Sequence, residues 1–222
     1  MALYDYMYDR TTEDDKDMRA MLLFKKSLIQ IDLKHYEDAR TIFHQIKQEY
    51  PKIYNKSPLF QYNFARSFEL QNKWNRAEQE FNLLLERFKG SSASMMTLLY
   101  LVDNFRKQNK QTEKEYWFTK AENYFAEVTK LGRGTLLEAR TMLYQADLYN
   151  RNDEFEKSAQ ILTDIFRKYP RTDPGKQALI KSIRLYQNKL GDQNKADSLL
   201  EQLKSTLAKI PVMSNSQDLL EN

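Results

Sequence analysis

Residues 59–89, LFQYNFARSFELQNKWNRAEQEFNLLLERFK, decide the fold of this chain. The stretch predicts two amphipathic helices that break near Asn72, because apolar side chains recur at intervals of three and four residues on both sides of it. They are Phe60, Phe64, Ala65 and Phe68 before the break, and Trp74, Ala77, Phe81, Leu84, Leu85 and Phe88 after it. A helix pair this short cannot bury two apolar stripes alone, so neighbouring pairs must cover them.

The second helix of this pair recurs along the chain. Its marker is a small residue followed, four and seven positions later, by large apolar residues. Four of the five copies also have an aromatic residue three positions before it. The small residues are Ala39, Ala77, Ala121, Ser158 and Ala196, which are 38, 44, 37 and 38 residues apart. Such regular spacing indicates a repeat array.

A helix-stopping residue falls at the end of every copy. These residues are Pro51, Gly90, Gly132, Pro170 and Pro211. Proline cannot continue a helix, and glycine readily takes the left-handed conformation that ends one. Two independent signals thus give the same period, and both favour an all-helical solenoid.

With these residues in view, the chain resembles the tetratricopeptide repeat family. The residues that carry the resemblance in 59–89 are Phe64, Ala65, Phe68, Trp74, Ala77, Phe81, Leu84 and Phe88. In 135–170 they are Ala146, Tyr149, Phe155, Leu162, Ile165, Tyr169 and Pro170. The resemblance implies an all-α, right-handed α-solenoid of about five helix-turn-helix units.

The expected organisation is an N-terminal arm (1–16), one array (17–210) and a flexible C-terminal tail (211–222). The five units are expected over residues 17–51, 58–90, 92–132, 135–170 and 174–210. Residues 51–58 are expected to form a loop, since two prolines flank an Asn-Lys-Ser core. Residues 106–115 are expected to form an extended turn or, alternatively, a partner-binding protrusion, and Asp173 is expected to cap the helix that opens unit five.

In the family that the chain resembles, fixed positions of the first helices face a concave groove. Carried over to this sequence, they are Tyr62, Asn63, Arg66 and Glu69 in unit two, and Leu143, Tyr144, Asp147, Asn150 and Arg151 in unit four. Aromatic, amide and guanidinium groups suit a bound peptide or helix. The clamp by which some members grip the acidic C-terminus of chaperones is not matched, because Tyr62 stands where it needs lysine and Arg66 where it needs asparagine.

Composition argues against several other functions. The chain has no cysteine, and its net charge of +4 is spread over interleaved acidic and basic residues, so a nucleic-acid surface is not expected. The two histidines, His35 and His44, lack metal-ligand spacing, and no catalytic motif or cofactor signature appears. Residues 167–195 hold eight basic and two acidic residues. This stretch is either a solvated face or a docking patch for an acidic protein or anionic lipid.

We therefore expect a non-enzymatic scaffold that binds a protein or peptide partner, with no membrane span. The endings of the units also resemble those of bacterial cell-envelope repeat proteins, which implies a cell-envelope complex. The alternative is a structural array that self-associates into a homo-oligomer, through residues 95–105 or its terminal units. The N-terminus has no secretory signal pattern. The compartment is expected to be periplasmic or envelope-associated if a leader was removed, and otherwise cytoplasmic.

Overall fold

The computed structural model of the chain describes residues 2–208, and this range is helical without a β-strand. The prediction of an all-α fold of helix pairs is confirmed. The elements are α1 (Ala2–Arg10), α2 (Lys16–Asp32), α3 (Tyr36–Glu49), α4 (Pro51–Lys56), α5 (Pro58–Glu69), α6 (Trp74–Arg87), α7 (Ser92–Lys107), α8 (Gln111–Leu131), α9 (Leu136–Arg151), α10 (Phe155–Lys168), α11 (Asp173–Leu185), a π-helix (Tyr186–Leu190) and α12 (Gln193–Ala208).

The chain divides into two compact units, Met1–Tyr100 and Leu101–Asn222, and the division falls within α7. In the first unit, α2 packs on α3 and α5 packs on α6, while α3 also contacts α5. In the second unit, α9 packs on α10 and α11 on α12, while α10 and α9 both contact α11. Helices therefore pair with their chain neighbours, and each pair packs on the next within its unit.

The five small residues that mark the repeat are all buried. Ala39, Ala77, Ala121 and Ala196 are 0% exposed and Ser158 is 1% exposed. The Ser158 hydroxyl donates to the Ala146 carbonyl at 2.8 Å, so its polar atom is satisfied inside the core. These positions admit only a small side chain, because each allows a neighbouring helix to approach closely.

The turn inside each helix pair has one recurring shape. A residue with positive φ ends the first helix, and it is Lys34, Asn72, Asn109, Asp153 or Gly191 in successive pairs. In the first four pairs the next residue donates its backbone N–H to the carbonyl five residues earlier. These bonds are His35–Gln30 at 2.8 Å, Lys73–Phe68 at 2.9 Å, Lys110–Phe105 at 3.0 Å and Glu154–Tyr149 at 2.9 Å. This is the Schellman ending of a helix, for which asparagine, aspartate and glycine are well suited.

The long spacing before Ala121 comes from α8. This helix has 21 residues, whereas α3, α6 and α10 have 14. Only residues 108–110 separate α7 from α8, so the predicted extended turn over 106–115 is wrong. The alternative of a partner-binding protrusion stays a prediction. Seven extra residues are nearly two helical turns, which keeps the apolar stripe on the same face. Trp117 is 1% exposed and lies in the core.

Two further local predictions are corrected. Residues 51–58 are not a loop, because Pro51 begins the short helix α4; proline suits a first helical turn, where its missing N–H costs nothing. Asp173 does not cap α11. The cap is Thr172, whose hydroxyl accepts from the Gly175 N–H at 3.2 Å, and Asp173 occupies the first helical position.

The start of α9 is held by a buried carboxylate. Glu138 is 7% exposed, and it accepts hydrogen bonds from the Gly134 N–H at 2.5 Å, the Lys168 ammonium at 2.6 Å and the Tyr169 hydroxyl at 2.6 Å. Burial alone would raise the pKa of this carboxyl, but the three donors together lower it to about 2. The backbone N–H of Gly134 therefore has its hydrogen-bond acceptor in Glu138. Through Lys168 and Tyr169, the same carboxylate joins α9 to the end of α10.

The N-terminal residues form a helix that packs on α2. Asp5 pairs with Lys26 at 2.6 Å, and the Tyr8 hydroxyl lies 3.0 Å from the Tyr50 hydroxyl. Burial, together with the hydrogen bond to Tyr50, raises the pKa of Tyr8. The expected tail (211–222) and the helix stop at Pro211 lie outside the described residues.

Candidate partner-binding cleft

The second unit contains a cleft of about 430 Å³ between α9, α10, α11 and the π-helix. Three of the residues that the sequence predicted to face a groove line this cleft, namely Asp147, Asn150 and Arg151. They are spaced by three and four positions and so share one face of α9. The other polar residues of its lining are Ser158, Lys181, Arg184, Asn188 and Lys189.

The other two predicted residues of α9 lie elsewhere. Leu143 is 8% exposed and belongs to a core cluster with Ala146 and Leu162. Tyr144 is half-buried, and its ring stacks on that of Phe125 with a centroid distance of 6.5 Å. Neither residue is among those that line the cleft.

Several charges of the cleft are already paired within the second unit. The Lys181 ammonium lies 2.6 and 2.7 Å from the two carboxylate oxygens of Asp147. The Arg151 guanidinium pairs with Asp103, which places that cation at the edge of α7. The Lys189 ammonium lies 5.2 Å from the centroid of the Phe155 ring. Such contacts hold long side chains in place, which lowers the entropy cost of binding a ligand.

The π-helix determines which residues of its pair reach the cleft. In this pair the N–H of Asp192 donates to the Tyr186 carbonyl at 3.1 Å, six residues earlier rather than five. One extra residue has therefore been inserted ahead of the left-handed Gly191, which has φ 67°. An inserted residue rotates the side chains that follow it by about 100°. Asn188 and Lys189 lie in this inserted turn and both line the cleft.

In the first unit, three of the four predicted residues form one polar cluster with Tyr100. The Arg66 guanidinium lies 3.1 Å from a Glu69 carboxylate oxygen and 4.7 Å from the centroid of the Tyr100 ring. The Tyr100 hydroxyl donates to Glu69 at 2.5 Å, and the Tyr62 ring meets the Tyr100 ring edge-on at 6.2 Å. Asn63 donates to the Leu59 carbonyl at 2.8 Å. The structure thus brings Tyr62, Arg66 and Glu69 together.

The cluster around Glu69 is largely desolvated. The Glu69 side chain is 10% exposed, and burial raises the pKa of its carboxyl to about 7, against the lowering influence of Arg66. Burial also raises the pKa of the Tyr62 hydroxyl. A carboxyl with this pKa gains and loses a proton near neutral pH, so the charge of the cluster depends on pH in that range.

A second cleft in the first unit was not predicted from the sequence. It has a volume of about 630 Å³ and lies between the start of α2, the end of α3 and α4. Lys16, Lys52 and Lys56 line it together with Glu49 and Tyr50. One wall of this cleft is the short helix α4, and the sequence analysis predicted a loop for that segment. Pro51 could have indicated the helix, because proline is common at the first helical position.

Neither cleft holds a set of metal ligands. Within residues 2–208, no three histidine, aspartate or glutamate side chains gather at a point where they could bind an ion. His35 lies 3.1 Å from the Gln30 side-chain oxygen, and the His44 ring packs against Phe64 at 5.2 Å. None of the helices in this range is both long enough and apolar enough to cross a membrane.

The sequence comparison points to one family. The tetratricopeptide repeat model matches residues 21–52 and 140–172, which together make up less than a third of the chain. The first segment covers most of α2 and α3, and the second covers most of α9 and α10. No curated protein matches the sequence.

The chain is also similar to several solved structures. BtubC (BKLC) from P. vanneervenii is 14% identical, with a TM-score of 0.49, over 88% of this chain and 79% of its own. A putative kinesin light chain from Podosopora anserina, with nearly identical TPR-like repeats, is 14% identical, with a TM-score of 0.49, over 90% of this chain and 100% of its own. A thermophilic TPR protein in Thermus thermophilus is 16% identical, with a TM-score of 0.43, over 85% of this chain and 99% of its own.

At these identities and TM-scores the structural likenesses carry no information about ligands or partners. The two segments that the family model matches share one arrangement of helices. In both segments a first helix, a left-handed turn residue and a second helix with a buried small residue follow in order. The tetratricopeptide repeat model thus matches one helix pair in each of the two units.

Proposed function

We propose that this chain is a non-enzymatic scaffold that binds a peptide or helix of a partner protein in a groove lined by the first helices of its pairs. Repeats of this type generally mediate contacts between proteins, through the extended surfaces that stacked helix pairs create. The observation that supports the groove here is the cleft in the second unit. It gathers Asp147, Asn150 and Arg151 from α9 with polar side chains of α11.

The setting that we propose is a bacterial cell-envelope complex. Its support is the resemblance of the unit endings, such as residues 165–170, to those of envelope repeat proteins. Crosslinking in native cells, followed by purification of the chain and identification of the attached proteins, tests the setting. A set of partners drawn only from cytoplasmic metabolism would contradict it.

Mutations in the cleft test groove binding. We expect Asn150→Ala with Arg151→Ala to remove the crosslinked partner, because both exposed side chains line the cleft. The matched control is Asn194→Ala with Arg171→Ala, which removes the same side-chain types from exposed positions that do not line the cleft. If the partner is retained by the first variant, or lost equally from both variants, the groove is not where it binds.

The alternative is an array that self-associates. Residues 95–105 are poor candidates for its contact surface, since Met95, Leu98 and Phe105 are at most 2% exposed and Met96, at 60%, is the one large apolar side chain of this stretch that is exposed. The terminal helix α1 is a better candidate, with Leu3 66% and Tyr6 53% exposed. Light scattering over a range of concentrations decides this, because a chain that stays monomeric throughout cannot be a self-associating array.

A further inference from the structure

The cleft in the second unit is strongly unbalanced in charge. Its charged lining consists of four cations, Arg151, Lys181, Arg184 and Lys189, and one carboxylate, Asp147. All five come from α9, α11 and the π-helix, so side chains that are distant in the sequence converge on one space. Like charges that are gathered without counterions create a local potential that attracts an anion.

The internal ion pairs leave two of these cations available. Asp147 is occupied by Lys181, and Arg151 is paired with Asp103. Among the described residues, neither Arg184 nor Lys189 has an acidic side chain within ion-pairing distance, and both are exposed. The Lys189 ammonium lies over the Phe155 ring, 5.2 Å from its centroid. The two cations are therefore free to meet negative charge on a ligand.

The backbone supports the same conclusion independently. Lys189 belongs to the π-helix, an irregular turn that the other four helix pairs lack in the described part of the chain. A π-helix is rare, and such turns often occur at functional sites. Here the inserted residue brings Asn188 and Lys189 to the cleft that Arg184 also lines.

From these observations we infer that the cleft binds an acidic peptide segment, with Arg184 and Lys189 as the groups that pair with its carboxylates. This inference rests on the proposed function and specifies the chemistry of the partner. The guanidinium of Arg184 offers two parallel N–H donors to one carboxylate, and the ammonium of Lys189 supplies a second positive charge one turn further along. Asn150 and Asn188 provide amides for the backbone of the bound segment.

The test is a selection of short random peptides, displayed on phage, on the immobilised full chain. We expect selected peptides to be richer in aspartate and glutamate than the starting library. A selected acidic peptide should bind Arg184→Gln/Lys189→Gln about tenfold more weakly than the wild type, since two charge pairs are lost. It should bind Arg171→Gln/Lys195→Gln, which makes the same change of net charge outside the cleft, within about twofold of the wild type. Binding should also weaken as salt is added.

The outcomes separate this inference from the proposed function. If peptides are selected without enrichment in acidic residues, or if the enrichment persists on Arg184→Gln/Lys189→Gln, the acidic preference is wrong while peptide binding stands. If no peptide is enriched on the wild type, both fail. If the chain selects no acidic peptide but binds phosphatidylserine vesicles through Arg184 and Lys189, the ligand is a lipid surface and the inference is overturned.

Discussion

Replacing Glu138 with glutamine should destabilise the second unit by an amount that depends on pH. The carboxylate is 7% exposed and accepts three hydrogen bonds, from Gly134, Lys168 and Tyr169. These lower its pKa from 4.5 to about 2. A shift of this size corresponds to about 3 kcal/mol of folding free energy at neutral pH. Glutamine keeps the shape of the side chain but carries no charge, so most of this contribution should be lost.

The sign of the pH dependence follows from the direction of the shift. Because the pKa of Glu138 is lower in the folded protein, the ionised carboxylate stabilises the fold above about pH 4.5, the unfolded value. This contribution is lost as the pH falls through 4.5 toward 2. The difference in unfolding free energy between wild type and Glu138→Gln should therefore shrink from about 3 kcal/mol at pH 7 to about 1 kcal/mol at pH 3.

Urea denaturation followed by tryptophan fluorescence measures this difference. The chain has two tryptophans, Trp74 in the first unit and Trp117 in the second. In a Trp74→Phe background the signal reports the second unit alone. The control is Glu156→Gln, an exposed first-turn glutamate of α10, which should cost only about 0.5 kcal/mol. A loss for Glu138→Gln no larger than this control, or one that does not shrink at low pH, would refute the reasoning.

Three further substitutions test separate features of the fold. Gly175→Ala should destabilise the second unit by about 2 kcal/mol or more, although alanine usually favours a helix, because the new Cβ would lie 1.9 Å from the Tyr169 carbonyl oxygen. Glu69→Gln should stabilise the first unit by up to about 3 kcal/mol above pH 7 and hardly at all near pH 4.5, since burial raises the pKa of this carboxyl to about 7. Arg40→Met should cost about 2 kcal/mol, because the buried guanidinium donates to the Ser67 carbonyl at 3.2 Å. Urea denaturation measures each, with Trp74 as the reporter for the first unit.

Matched variants make these outcomes decisive. Gly134→Ala has open space around its new Cβ and should cost only about 1 kcal/mol, for its φ of +80°. Glu86→Gln and Lys25→Met remove exposed charges in the first unit and should change stability by less than about 0.5 kcal/mol. A neutral Gly175→Ala, a destabilising Glu69→Gln at pH 8, or an Arg40→Met no worse than Lys25→Met would each contradict its prediction.

The repeat and its helix pairs could be predicted because their signals are local. The small residues, such as Ala39 and Ala77, stand in a helical stripe of large apolar residues, and all of them are buried in the structure. The left-handed turn residues Asn72, Asn109 and Asp153 also carried a readable signal, since their side chains tolerate positive φ. Lys34 did not, because lysine has no intrinsic preference for that conformation.

The predictions from sequence were wrong where a helix is longer than the repeat suggests or contains an inserted residue. Polar residues 106–115 look like a loop, but residues 106–107 end α7 and residues 111–115 form the first turn of the longer helix α8. No residue type in the sequence indicates the π-helix at Tyr186–Leu190. The π-helix nevertheless decides that Lys189 lines the cleft. Of the five residues carried over to α9, three line that cleft. The residues of α11 that complete it lie about one repeat later in the sequence, and they reach the cleft only because the two helix pairs pack together.

The length of α8 has a consequence for how arrays of this type change in evolution. Inserting or deleting one residue within a packed helix turns every later side chain by about 100° and faces its apolar stripe to water. An insertion of seven residues, by contrast, rotates the later side chains by almost two full turns, so the apolar stripe is displaced by only about 20°. Length polymorphism among relatives should therefore come in heptads within the helices, and single-residue changes should collect at helix ends, as at Gly191.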